Sequence, residues 1–272
     1  MSSRAESLRI TVSMAVACAL GAAVLGGLYV VTDRHRQAAE LRTERSAIEE
    51  LLGLDSSAVV LEIRQYFEPQ QCTVVYRLLD GNDAAQQLVF SLDGRLQSRA
   101  RPAASGAEGL MPLGRLFLAR HDGQLLGIVV EGSAKGYKNR IRFLVALTRE
   151  FEIAGVRVVE HEEDPGLGAE VARPTFAGQF VARPASDLPA LQVTRDPMPE
   201  DWRAALAELQ RVPAASWRPR HQALLDRERR RPIYAVTGAT ISSRALTNGV
   251  RATVDHFRRR WALLEPYLGV RT

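Results

Sequence analysis

The stretch Thr237-Gly238-Ala239-Thr240-Ile241-Ser242-Ser243 places four hydroxyls and two small residues between an apolar run and a segment of helical period. The first N–H groups of a helix lack internal partners and carry partial positive charge. A turn of this composition at a helix start therefore suits a phosphate group. Gly238 and Ala239 leave the backbone open to close approach, and Thr237, Thr240, Ser242 and Ser243 add hydroxyl donors. No His, Cys or carboxylate lies beside them in sequence, so nothing local activates a hydroxyl as a nucleophile. A plain Ser/Thr helix cap accounts for the same residues, and the bare pattern leaves both readings open.

The remaining reactive residues do not assemble into a metal or thiol centre. Cys18 and Cys72 stand far apart in dissimilar segments, and the histidines at 35, 121, 161, 221 and 256 are scattered, so neither a disulfide nor a metal spacing is expected. A second group of interest is "VRVVEHEEDPGLGAEV" (156–171), with His161, Glu163, Gly166, Leu167 and Gly168, and a third is the polar loop "GYKNR" (136–140) with Tyr137. Gly166 and Gly168 are read as serving backbone geometry.

The elements that must position these groups follow from period. Val250, Val254, Phe257, Trp261 and Leu264 fall on one face of a helix running from Ser242 to about Leu264, with Arg251, Asp255, Arg258 and Arg259 opposite. Runs at 58–67, 72–80 and 86–94 read as strands, 99–110 as a loop, and Asp122-Gly123 as a hairpin turn. Residues 141–148 and 153–161 form a further antiparallel pair, and 37–53 read as a part-amphipathic helix ending at Gly53. Residues 196–231, rich in Pro and Arg, read as an inserted arm with helices at 200–211 and 219–230, pinned by Trp202 and Trp217 and with its Arg face solvated. The fold class expected is α+β, mainly antiparallel sheet with packed helices.

"TGATISSRALTNGV" (237–250) resembles the flavinylation motif of the FMN-binding domain family, whose members include the G subunit of Rnf-type electron-transport complexes and the C subunit of sodium-translocating NADH:quinone reductase. The segment 156–171 resembles the family's E-H-x-E-T-P-G-L-G stretch, with Asp164 in place of Thr, and 136–147 resembles the strand before it. The resemblance implies FMN bound covalently, by a phosphoester, to Thr240. A separate flavin transferase using FAD would attach it, which accounts for the missing local base. It further implies a cofactor site drawn from Thr237, Gly238, Ala239, Ser242, Ser243, His161, Glu163, Gly166, Leu167, Gly168 and Tyr137. For single residues other readings stand: His161 as a capping residue, Glu163 as solvated, Tyr137 as a strand-edge tyrosine, Thr237 and Ser243 as caps. The family places an Asp three residues before the motif's first Ser/Thr; here that residue is Tyr234.

Residues 10–31 carry no charge and are long enough to cross a bilayer as one helix. The expected organisation is a tail (1–9), a transmembrane helix (10–31), a membrane-proximal helix and strands (32–113), and an FMN-binding domain (114–272) interrupted by the arm at 196–231. Arginines after the span lean towards a cytoplasmic domain, whereas the resemblance implies a bacterial inner-membrane protein, single-pass, with a periplasmic soluble domain. Although the net charge is +5, lysine occurs only at 135 and 138 and the arginines are dispersed, so no nucleic-acid partner is expected. The resemblance implies an electron-transfer subunit of a redox-driven ion-translocating complex, with other membrane and redox subunits as partners, rather than a self-contained enzyme. The alternative is a structural, assembly or regulatory membrane protein that retains the fold without flavin.

Overall fold

The computed structural model describes residues 14–15, 18–29, 32, 43–55, 57–80, 83–102, 109–212 and 214–269. The chain divides into two units, Met1–Ser46 and Ala47–Thr272. In the first, residues 14–15 and 18–29 are helical and exposed. Among the described residues no helix is long and apolar enough to cross a membrane. The other positions of the expected span at 10–31 lie outside the described residues.

The second unit is built on one eight-stranded antiparallel sheet. Its strands are β1 (Val59–Glu68), β2 (Thr73–Asp80), β3 (Asp83–Ser91), β4 (Leu96–Ala100), β5 (Met111–His121), β6 (Gln124–Lys135), β7 (Arg140–Thr148) and β8 (Ile153–Glu160). Their order is β4-β3-β2-β1-β5-β6-β7-β8. Because β1 pairs directly with β5, the segments on either side of residue 113 share one layer. The β5–β6 hairpin turns at Asp122 and Gly123, both with positive φ (48° and 77°), as two-residue hairpin geometry requires. Strand β4 was expected as loop from residue 99. Only Leu96 of its five residues is even half-buried, so it leaves almost no alternation to read.

Both faces of the sheet's centre are covered. In β7, Ile141, Phe143, Val145 and Leu147 enter the main core, while Leu144 and Ala146 pack on the opposite side with Ala47 and Ile48 of α1 (residues 47–52). On the main-core side lies the long helix α6 (Thr240–Leu264), whose Leu246, Val250, Val254, Phe257, Trp261 and Leu264 are buried in a stripe with 3–4 residue spacing. The helix comes closest to the sheet at β6. A Cβ on Gly132 would collide with Thr253 Oγ1 and stand 2.5 Å from the Phe143 ring.

The arm is a closed excursion from this body. A parallel pair, β9 (Val193–Thr194) and β10 (Ile233–Tyr234), joins its two ends. Between them run three short helices, α3 (Glu200–Glu208), α4 (Ala214–Arg220) and α5 (Gln222–Glu228), not the two expected; a short helical turn, α2 (Pro174–Ala177), precedes them in the body. Trp202 and Trp217 are buried with ring centroids 6.1 Å apart, and Trp217 Nε1 donates to the Ala205 carbonyl at 2.7 Å. Arg183, 3% exposed, donates to the carbonyls of Gln179, Glu228, Arg229 and Arg231 at 2.7–3.0 Å. It thereby ties the end of α5, at the Glu228 and Arg229 carbonyls, and Arg231 just beyond it to the body. Burial lowers this guanidinium to about 10.

The close approach at Gly132 sets a test of the packing. Gly132→Ala is expected to lower unfolding stability by about 1–3 kcal/mol, because neither the Phe143 ring nor helix α6 has room to yield; urea denaturation followed by tryptophan fluorescence reads the loss.

Candidate functional site

The hydroxyl-rich turn opens α6 as expected, but not as an ordinary Ser/Thr cap. The cap position is Ala239 (φ −124°, ψ 39°), buried and with no side-chain capping bond. Ser243 Oγ instead closes the turn on itself, accepting from the Val236 N–H at 3.0 Å and donating to the Ala239 carbonyl at 2.9 Å. No side chain therefore occupies the start of the helix, where free N–H groups and the dipole favour an anion. Thr240 is the first residue of the helix and half-buried, while Thr237 and Gly238 are exposed.

Beneath the turn lies a buried carboxylate. Glu163, 5% exposed, accepts a hydrogen bond from Ser242 Oγ through Oε2 and one from the Lys138 N–H at 2.9 Å through Oε1. Burial pushes its carboxyl up, but the Ser242 hydroxyl and the backbone N–H groups of Lys138, Tyr137 and Asn139 outweigh that and hold it below the ordinary carboxylate value. The carboxylate fits only because two neighbours lack side chains. A Cβ on Gly136 would strike Glu163 Oε1, and one on Gly168 would stand 2.5 Å from Oε2. An ion pair between Lys138 and Asp164 fastens the same loop to the 160–168 segment. Glu163 is thus not a solvated carboxylate; it joins the 136–140 loop, the D-P-G-L-G turn and α6.

A cleft of about 710 Å³ opens beside the turn. Thr237, Gly238 and Thr240 form one lip, Phe176, Gln179 and Tyr234 the floor, and Arg195, Met198 and Arg203 the far wall. Arg203 lies on α3, so the arm supplies part of this wall. Sequence reasoning missed Phe176, Arg195, Met198 and Arg203. Arg203 read as part of the arm's solvated Arg face and Arg195 was not singled out; both line the same cleft as Thr240.

The expected site residues therefore separate. Thr237, Gly238 and Thr240 line the cleft. Ser242, Glu163, Gly168 and the Tyr137–Asn139 backbone form the clasp behind it, while the Tyr137 side chain is 64% exposed. Leu167, 47% exposed, sits against the turn, 3.0 Å from a Cβ built on Gly238. Gly166 and Gly238 hold φ of 74° and 78°, which glycine adopts without strain. Ala239 and Ser243 are internal to the turn. His161 follows β8 and does not line the cleft; its Nδ1 is buried without a partner.

The clasp has a pH signature. Because the folded Glu163 carboxyl titrates below its unfolded value, its stabilisation is complete above the ordinary carboxylate range and is lost as pH falls through the lowered pKa. Glu163→Gln, which turns an amide donor towards existing donors, is expected to cost about 1–3 kcal/mol at neutral pH. The gap from wild type should shrink in acid, as read by urea unfolding at stepped pH.

Comparison with known proteins agrees with this geometry. The FMN-binding domain family matches residues 136–255, the span from the Glu163-bound loop to the second half of α6. The G subunit of the proton-translocating ferredoxin:NAD(+) oxidoreductase complex of Clostridium ljungdahlii is 30% identical over 139 residues, 51% of this chain and 57% of that protein. The match thus spans little more than half of that relative. The G subunit of the ion-translocating oxidoreductase complex of Methanosarcina acetivorans is 24% identical over 257 residues, 94% of this chain and 97% of that protein. In fold the chain is similar to the crystal structure of Shewanella oneidensis NqrC, with a TM-score of 0.51 at 18% identity, covering 84% of this chain and 99% of that one. Residues 136–255, with their clasped turn and long helix, match the FMN-binding domain family.

Proposed function

We propose that this chain is the membrane-anchored flavoprotein subunit of an Rnf-type electron-transport complex, carrying FMN as a phosphoester on Thr240. The observation that carries the reading is the position of Thr240. It stands at the uncapped start of a 25-residue helix, on the lip of a cleft of about 710 Å³, within the size range of small-molecule sites. The residues present fit the group. The helix-start N–H groups and Arg195 suit its phosphate, while Phe176, Met198 and Tyr234 offer the broad surface a flavin ring needs. The relatives are G subunits of ion-translocating oxidoreductase complexes, and the same place among membrane and redox partner subunits is proposed here.

Bound FMN supplies one- and two-electron transfer. The chain's own residues bind and orient. Glu163 fixes Ser242 and hence the first turn of α6, Ser243 holds the turn closed, and the arm walls the cleft. The two carboxylates that line the cleft are engaged elsewhere, Glu170 with Arg173 at 2.9 Å and Asp196 with the Thr194 hydroxyl at 2.6 Å. A separate flavin transferase is therefore proposed to remove the hydroxyl proton as Thr240 takes the FMN phosphoryl group from FAD and AMP leaves. The membrane anchor at 10–31, the inner-membrane location and a periplasmic soluble domain belong to the same proposal.

Co-expression with a flavin transferase tests it. The wild-type chain is expected to run as an ultraviolet-fluorescent band on a denaturing gel, and Thr240→Ala as a dark one. A dark wild-type band, with no flavin retained by the native protein either, favours the structural-protein alternative.

A further inference from the structure

The sheet forks between β5 and β6, towards the Lys135 end of β6. The β5–β6 ladder ends at Leu116 and Val130. Beyond that pair β5 continues to Met111 beside β1, and β6 continues to Lys135 beside β7. A register shift at Gln65/Tyr66 in the β1–β5 ladder lies at the same place, and a cavity of about 400 Å³ opens between the diverging strands and α6. It shares no lining residue with the cleft at Thr240.

The chemistry of this fork is one-sided. Four arginines line it against a single carboxylate, Glu131. That carboxylate is held by Arg115 at 2.8 Å and by Arg142 at 2.7 Å. Arg140 and Arg260 form no ion pair among the described residues. Gln65, 8% exposed, accepts from Arg260 Nη1 at 2.8 Å through its Oε1, while its Nε2 is buried with no partner. A buried amide donor without an acceptor is costly and rare in folded proteins. The same amide holds a guanidinium that no carboxylate neutralises among the described residues, and an acceptor carrying negative charge satisfies that guanidinium.

We infer that the fork is a second ligand site, distinct from the flavin cleft and independent of the flavin reading, which takes a small ligand through a phosphate or carboxylate group. Its size suits a compact organic anion. Arg260, positioned by the Gln65 carbonyl, meets the oxyanion, and the exposed Arg140 closes on it at the rim.

Isothermal titration of the full chain in detergent and phosphate-free buffer tests this, with inorganic phosphate and succinate as probes. Saturable binding of at least one probe is expected, and the stronger of the two identifies the group recognised. Arg140→Gln is expected to weaken that binding about tenfold or more, and Arg260→Gln likewise. Near-ultraviolet circular dichroism shows that each variant is folded; Arg140 is exposed, so its variant decides the matter if Arg260→Gln is not. The inference is overturned if wild type binds neither probe saturably, or if folded Arg140→Gln binds as wild type does.

Discussion

One buried carboxylate organises the functional end of this protein. Glu163 takes the hydroxyl of Ser242 and the N–H of Lys138 at once, so a strand-connecting loop, a glycine turn and the first turn of α6 converge on one charge. A carboxylate removed from water is tolerated only when donors replace its hydration. Here those donors are backbone groups of the 137–139 loop and a serine in the first turn of the helix. The arrangement also explains two glycines: side chains on Gly136 and Gly168 would occupy the space of the carboxylate. Ser242 is thereby committed to Glu163 and Ser243 to the turn, which leaves Thr240 as the helix-start hydroxyl bordering the cleft.

The arm has a related role on the other side of the cleft. Its ends are joined by β9 and β10, and its core is shared with the body through Tyr234, which is buried among Trp202, Leu206, Trp217 and Leu225. The Tyr234 hydroxyl donates to Glu228 at 3.2 Å, and its backbone N–H and carbonyl are both bonded by Gln179. An Asp at this position, as the flavinylation motif prefers, would forfeit the hydroxyl bond to Glu228 and place a carboxylate in a buried setting, which desolvation opposes. Tyr234, where the motif departs, is thus also the residue on which the arm packs. The arm also protects the sheet, since Arg218 donates to the Ile153 and Ala154 carbonyls of edge strand β8 at 2.8 and 3.0 Å.

What the sequence disclosed was whatever repeats or turns in a regular way. The buried stripe of α6 and the Asp122-Gly123 hairpin follow from period and turn chemistry, and the strands of the central sheet from their apolar runs. The motif at 237–243 was legible because its small residues and hydroxyls sit at a helix start. Strand β4 escaped because an exposed edge strand has no apolar face to alternate. The arm's helices were misjudged because Pro219 lies inside α4, where proline reads as a start or a break. The burial of Glu163 had no local signal at all. It depends on donors 25 and 79 residues away in sequence, and Arg195 and Arg203 likewise line the same cleft as Thr240 from positions distant in sequence.

The central claim is that Thr240, alone among the turn's hydroxyls, carries the flavin. Peptide-level tandem mass spectrometry of the full chain, purified after co-expression with a flavin transferase, tests it directly. The account predicts one FMN-phosphoryl increment, localised to Thr240 within the peptide that spans the start of α6. An increment on Thr237, Ser242 or Ser243, or an unmodified peptide in flavin-replete cells, would contradict it.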